Sequence, residues 1–282
     1  MHIISSIDAL RVALKDEDNV AFVPTMGNLH AGHIHLVEEA KRHSECIVVS
    51  IFVNPLQFGP HEDLASYPRT LIADCEKLKA AGANFVFTPN VAEIYPDFDG
   101  SELNQTMTIT PPPIANALCG ASRPGHFSGV ATVVMKLFNI VQPKVALFGQ
   151  KDFQQLFIIR QLVKQFNFPI NIIGVDTVRE PTGLAMSSRN GYLTTEQYKQ
   201  ANQLNKALQD IVYSVKMGNN DYVRLEQDAK DSLNNHGWNT DYITIRSIFT
   251  LLPAISTDSQ LIVLGAGKLG NTRLIDNIEF LR

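Results

Sequence analysis

Residues 46–53 read CIVVSIFV, an almost wholly apolar run rich in β-branched side chains. Such a run is a strand with both faces covered, which is typical of a parallel sheet. The same grammar repeats along the first two thirds of the chain. An apolar run at 20–24 stops at Pro24, and helical stretches cover 34–43, 71–81, 129–141 and 153–166. Between them lie strand-like runs at 84–88, 145–148 and 170–178. Strands alternating with helices mean βαβ units. The expected fold is therefore α/β, a Rossmann-like parallel sheet with helices on both faces.

Two regions depart from that grammar. Residues 97–113 hold Asp, Gly, Ser, Asn, Thr and a run of three prolines, and read as a surface excursion with one edge strand at 107–110. After about residue 178 the texture changes. Loop chemistry fills 179–190, and Thr194-Thr195-Glu196-Gln197 has capping-box spacing. Polar amphipathic helices follow at 196–217 and 221–236, then strand-like runs at 242–248, 261–264 and 274–280. These define a small α+β C-terminal domain and divide the chain into 1–178 and 179–282. The run Gly265-Ala266-Gly267-Lys268-Leu269-Gly270 matches a dinucleotide fingerprint, but only 12 residues follow it, reading as a strand. No helix and distant acidic residue fit there, so the run is expected to be a turn between two strands.

Composition narrows the classes of function. With 24 Lys and Arg against 28 Asp and Glu, the net charge of −4 argues against nucleic acid or an acidic membrane as main partner. The three cysteines, Cys46, Cys75 and Cys119, lie far apart and form no C-x-x-C pair, which suits a reducing cytoplasm. The first residues lack the basic and apolar regions of a secretory signal, and no run approaches a membrane span. A cytoplasmic enzyme is expected.

Chemistry concentrates in five places. The first is Pro24-Thr25-Met26-Gly27-Asn28-Leu29-His30-Ala31-Gly32-His33, between a buried strand and a helix. A helix N-terminus offers unpaired N–H groups and the positive end of a dipole to phosphate. Gly27 and Gly32 let backbone approach a ligand, and His30 and His33 are spaced to donate to phosphoryl oxygens on the opening turn. The second is Met186-Ser187-Ser188-Arg189, whose hydroxyls and guanidinium suit a triphosphate. The third is Gly149-Gln150-Lys151-Asp152 with Gln154 and Gln155, beyond a strand's carboxyl end, where ligands bind in open α/β sheets. Asn54 and Gln57 follow another such strand end, and Arg123 with His126 precedes a helix. Each of these last three places also reads as ordinary turn or helix-entry chemistry.

Taken in order, these pieces resemble the pantoate–β-alanine ligase family. The residues that carry the resemblance are PTMGNLHAGH (24–33), IFVNPLQFG (51–59), YPRT (67–70), SRPGHFSGV (122–130), KLFN (136–139), FGQKDFQQL (148–156), VRE (178–180), GLAMSSRNGYL (183–193) and TRLIDN (272–277). The His-x-Gly-His element alone marks a whole nucleotidyl-transferase superfamily; the combination is far more specific. The resemblance implies a reaction in which pantoate carboxylate attacks the α-phosphate of ATP, releasing pyrophosphate. The amine of β-alanine then attacks the pantoyl adenylate, giving pantothenate and AMP, with Mg2+ accompanying the ATP. It implies that His30 and His33 contact phosphate, with His33 as proton donor, and that Lys151, Ser187, Ser188 and Arg189 form a phosphate clamp. Met26, Gly27, Gly32, Gly149, Gln150, Asp152, Val178 and Met186 fall at nucleotide-holding positions. Gln57 and Gln155 fall at pantoate contacts, Gln57 also toward β-alanine, with Asn54 and Arg123 as neighbours. The family further implies a cytoplasmic homodimer whose small C-terminal domain covers the nucleotide.

One departure is Pro181-Thr182 before Gly183, where an Asp precedes the glycine in many members. Acidic candidates for the metal (Glu62, Asp63, Asp74) are scattered, so no protein ligand is assigned; Mg2+ in nucleotide sites is often held by phosphates and water. The alternative is another His-x-Gly-His nucleotidyl transferase acting on a phosphorylated small molecule. The uncharged Gln57 and Gln155 favour a hydroxy acid instead.

Overall fold

The apolar run that begins at Cys46 lies inside a six-stranded sheet. The computed structural model describes residues 1–60 and 62–282. Two units make up the chain: Met1–Gln150 with Gln154–Asp176, and Lys151–Phe153 with Thr177–Arg282. In the first, the strands are β1 (His2–Ile4), β2 (Val20–Thr25), β3 (Cys46–Ile51), β4 (Phe85–Phe87), β5 (Val145–Gly149) and β6 (Asn171–Val175). Their order is β1-β4-β3-β2-β5-β6, and every pairing is parallel. The register of β2 on β3 runs from Val20 opposite Cys46 to Thr25 opposite Ile51.

The connecting helices are α1 (Ile7–Ala13), α2 (Ala31–Ala40), α3 (Leu71–Ala81), the short α4 (Val91–Ile94) and α5 (Cys119–Ser122), α6 (His126–Val141) and α7 (Phe153–Gln165). They cover both faces, as the unbroken apolar strands require. Along β2, Ala21 and Val23 pack with Val37 of α2 and Leu78 of α3. The intervening Phe22 turns to the other face and meets Phe138 of α6 edge-on at 6.5 Å. Burying a valine, leucine or phenylalanine in this way is worth about 1.5–3 kcal/mol. The chain leaves β2 toward β3 on one side, while β5 pairs on the other, so β2 and β5 flank a topological switch point.

The second unit contains α8 (Thr195–Gln200), α9 (Gln203–Lys216), α10 (Tyr222–Asn235) and an antiparallel sheet β7-β8-β9, Trp238–Ser247, Gln260–Leu269 and Thr272–Leu281. Leu204, Leu208, Ile211 and Val215 of α9 join Ile243, Val263 and Leu274 in its core. The capping box at Thr194 forms, with Gln197 N–H on the Thr194 hydroxyl and Thr194 N–H on the Gln197 side chain.

Three expectations need correction. Residues 107–110 form no strand. The Ile109 N–H goes to the Thr132 hydroxyl at 2.9 Å and its carbonyl accepts from Ser128 at 2.7 Å, so side chains of α6 take the groups a ladder would use. The single helix expected over 196–217 is two, broken where Ala201 buries itself and Asn202 turns its amide to the Thr182 carbonyl at 3.2 Å. The glycine-rich run at 265–270 is mostly strand interior, and only its end turns. A Cβ at position 265 would lie 2.8 Å from both Ile243 and Leu204, so glycine there lets α9 sit close on the sheet. The short elements β1 and α1 add to what the apolar pattern predicts. Among the described residues, no helix is long and apolar enough to cross a membrane.

Candidate active site

In the first unit the polar residues gather at the carboxyl ends of β2 and β3. Gly27 turns the chain out of β2 with φ +85°. His30 then caps α2. Its Nδ1 accepts the Gly32 N–H at 3.1 Å, and the His33 Nδ1 accepts the His30 N–H at 3.3 Å. The two rings lie 4.1 Å apart, centroid to centroid. Because both δ nitrogens accept backbone N–H groups, each neutral ring carries its proton on Nε2. The local sequence thus fixes two imidazoles as donors at a helix N-terminus, where the dipole favours an anion.

This loop is held from outside by α3. The Asp74 carboxylate, fully buried, accepts the Asn28 and Leu29 N–H groups at 2.8 Å each and the Thr70 hydroxyl at 3.0 Å. Lys77 Nζ donates to the Leu29 carbonyl at 2.7 Å. Neither residue stands out in the sequence as serving the histidines, since the contact spans more than forty positions.

After β3, Asn54 and Gln57 come together. Asn54 Nδ2 donates to Gln57 Oε1 at 3.1 Å, and Gln57 Nε2 donates to the Met26 sulfur at 3.1 Å. Gly129 on α6 makes the approach possible: a Cβ there would stand 2.4 Å from the Leu56 carbonyl oxygen. Arg123 is engaged by Glu62, through Nε at 2.8 Å and Nη2 at 2.5 Å. Its Nη1 also meets His126 Nε2 at 2.9 Å, while His126 Nδ1 meets the Gln57 carbonyl at 2.8 Å. A carbonyl only accepts, so this imidazole is protonated on Nδ1 and accepts from Arg123. Gly149 ends β5, and Gln150–Asp152 form a single 3-10 turn before α7. Of the two glutamines that open α7, Gln154 is structural, bonding Cys119 N–H and the carbonyls of Ile114 and Ala117. Gln155 is half-buried on the first turn.

In the second unit, Lys151 and Arg179 are tied to β9. Asn277 Nδ2 donates to the Lys151 carbonyl at 2.9 Å. Lys151 Nζ lies 3.9 Å from Asp152. The buried Asp276 carboxylate receives Arg179 in a two-pronged pair at 2.7 and 2.9 Å, and Asn205 at 3.0 Å. Arg179 also donates to the Gly183 carbonyl at 3.1 Å. Pro181 and Thr182 occupy the centre of a β-turn closed by Gly183 N–H on the Glu180 carbonyl at 2.8 Å. Proline suits such a position. Met186 N–H then bonds the Val178 carbonyl at 3.0 Å, and Arg189 N–H bonds the Ser187 hydroxyl at 3.2 Å. Met186, Ser187, Ser188 and Arg189 therefore lie on a braced turn.

Metal ligands fare differently. Among the described residues no group of three or more His, Cys, Asp or Glu could hold a metal ion. Glu62 is paired with Arg123, and Asp74 is spent on backbone N–H groups.

A family model described as pantoate-beta-alanine ligase matches residues 2–279. The chain belongs to the pantoate-beta-alanine ligase family. A pantothenate synthetase of Methylobacillus flagellatus is 62% identical over 280 residues, covering 99% of each chain. The crystal structure of pantothenate synthetase from Thermus thermophilus superposes with a TM-score of 0.92 at 42% identity, covering 99% of each chain. A pantoate-beta-alanine ligase from Francisella tularensis, complexed with beta-gamma ATP and beta-alanine, has a TM-score of 0.78 at 35% identity and covers 100% of this chain and 97% of its own. The family membership thus extends over both units, and the α/β parallel sheet with its small α+β companion is the fold of these ligases.

Proposed function

We propose that this chain is an ATP-dependent ligase that joins pantoate to β-alanine through a pantoyl adenylate, releasing pyrophosphate and AMP. The observation that carries the reading is whole-length membership of the pantoate-beta-alanine ligase family, together with a histidine pair held as donors on a helix N-terminus. Adenylation turns a poor electrophile into a reactive one, because AMP can leave where oxide cannot. The protein's task is to hold anions together and to spread the charge growing at phosphorus.

In this reading residues 1–178 are the ATP- and pantoate-binding domain, and 179–282 the small C-terminal domain. His30 and His33 donate hydrogen bonds from Nε2 to phosphoryl oxygens, and the His33 N–H steadies the charge that grows on the departing pyrophosphate. Lys151, Ser187, Ser188 and Arg189 hold phosphate oxygens. Met26, Gly27, Gly32, Gly149, Gln150, Asp152, Val178 and Met186 form the nucleotide's surroundings. Gln57 and Gln155 hold pantoate, and Gln57 also faces β-alanine. Asn54 and Arg123 act one step removed: Asn54 orients Gln57, and Arg123 is bound to Glu62.

Mg2+ enters with ATP. The scattered, already engaged carboxylates do not fit a dedicated protein cage, so the metal is assigned to phosphate oxygens and water. A cytoplasmic homodimer completes the reading. It rests on the family resemblance and is checked by sedimentation and cell fractionation.

The decisive experiment is pyrophosphate release from ATP, Mg2+ and pantoate, with and without β-alanine. Release with pantoate, followed by AMP and pantothenate once β-alanine is added, is the expected result. No release with pantoate would overturn the reading and direct the search to phosphorylated acceptors.

A further inference from the structure

Tyr95 is 1% exposed, and its hydroxyl donates to Asn54 Oδ1 at 2.6 Å. Burial raises its pKa far above the usual phenol value, so it keeps its proton throughout the working range. Lys136 Nζ lies over the ring at 5.0 Å and is itself anchored on the Ile94 carbonyl at 3.0 Å. A buried tyrosine needs some acceptor for its hydroxyl. Here the acceptor is the residue that holds Gln57.

Backbone groups set the polarity of this chain of bonds. The Leu56 N–H can only donate, and it meets Asn54 Oδ1 at 3.3 Å. The Gly129 carbonyl can only accept, and it meets Asn54 Nδ2 at 3.2 Å. Asn54 is therefore fixed end for end, with Tyr95 as the shortest of its bonds. Its Nδ2 also reaches Gln57 at 3.1 Å, so the Gln57 atom it meets must be the amide oxygen. The other end of that amide, Nε2, is then a donor, and it lies beside Met26 at 3.1 Å, at the exit of β2.

We propose that the Tyr95–Asn54 pair is a polarity lock on Gln57, which makes the amide N–H the face offered to substrate. That position then accepts a carboxylate or hydroxyl oxygen and rejects an ammonium. Tyr95 is a positioning residue that touches no substrate. The inference rests on the reading of Gln57 as a pantoate contact. It adds that any contact of Gln57 Nε2 with β-alanine is made by the carboxylate, leaving the amine for attack.

The test measures KM for pantoate and for ATP separately in full-length Gln57→Leu, Tyr95→Phe and Asn54→Asp, with Tm recorded for each. Gln57→Leu and Tyr95→Phe are expected to raise the pantoate KM, the latter about five- to tenfold, with ATP KM within about twofold. Asn54→Asp replaces the donor by an acceptor, turns Gln57 end for end, and is expected to raise the pantoate KM further. A lowered Tm with unchanged pantoate KM in Tyr95→Phe, beside a raised KM in Gln57→Leu, overturns the lock and leaves the contact standing. An unchanged pantoate KM in Gln57→Leu removes contact and lock together. If Tyr95→Phe does not fold, Asn54→Asp decides: an unchanged pantoate KM there overturns the lock.

Discussion

Asp74 on α3 accepts the backbone N–H of Leu29 at 2.8 Å, and so clamps the loop that carries the histidines. The same carboxylate holds Asn28 and is fully buried. Asp74→Ala leaves the buried Leu29 N–H and the half-buried Asn28 N–H without this acceptor. It is expected to lower the unfolding free energy by about 2–4 kcal/mol and to slow pyrophosphate release. Urea unfolding with a parallel pyrophosphate assay checks both; a wild-type midpoint would show that the loop needs no such anchor.

His33→Ala removes the acceptor for the His30 N–H and the proposed Nε2–H donor to phosphate. Loss of this half of the capping box, with the His30 cap left in place, should cost about 1 kcal/mol at most. Adenylation should slow by about a hundredfold or more. Thermal unfolding and single-turnover pyrophosphate release separate the two effects, and undiminished turnover would count heavily against the site.

Gln155→Ala should raise the pantoate KM about tenfold and leave ATP within about twofold, as loss of one substrate hydrogen bond requires. Equal losses for both substrates would contradict its assignment.

Asn277→Ala frees the Lys151 carbonyl from β9. The expected outcome is an ATP KM raised about three- to tenfold with the pantoate KM unchanged. If both constants stay at wild-type values, the Lys151 turn holds its shape unaided.

Glu226 tests the small domain. Burial raises its carboxyl pKa, opposed by bonds from Ile245 N–H at 2.7 Å and the Thr244 hydroxyl at 3.2 Å, and by the charge of Arg246. The folded state therefore holds this proton more tightly than the unfolded state. Its stabilising effect is complete below the ordinary value of 4.5 and is lost as pH rises through the raised value. Glu226→Gln keeps the acceptor oxygen without the charge, so its Tm relative to wild type should improve from pH 4.5 to pH 7. Thermal scans across that range check the sign, and a relative gain at low pH would reverse it.

Much of this architecture is legible in the chain itself. The strand expected from CIVVSIFV is β3, and the helix read over 71–81 is α3, Leu71–Ala81. Hydrophobic periodicity and caps act over a few residues, so they survive reading one residue at a time. The edge strand expected at 107–110 does not form because Thr132 and Ser128, some twenty positions away, supply better partners than a neighbouring strand. Strand β1 has no buried residue and helix α1 buries only Leu10, so neither carries the apolar pattern that marks a core element.

The same division runs through the site. His30 and His33 are legible because a cap is local, and their spacing alone puts them on one turn. Which of Gln154 and Gln155 staples a loop is not legible, nor is the engagement of Arg123 by Glu62. The clamp of Asp74 on Leu29, the tether of Asn277 on Lys151 and the bond from Tyr95 to Asn54 are equally hidden. The order of elements and the kind of chemistry were determined by sequence, because apolar pattern and motif are properties of near neighbours. Which polar group satisfies which was decided by the tertiary structure. A buried donor or acceptor must be paired, and its partner is whatever folding brings beside it from a distant part of the chain.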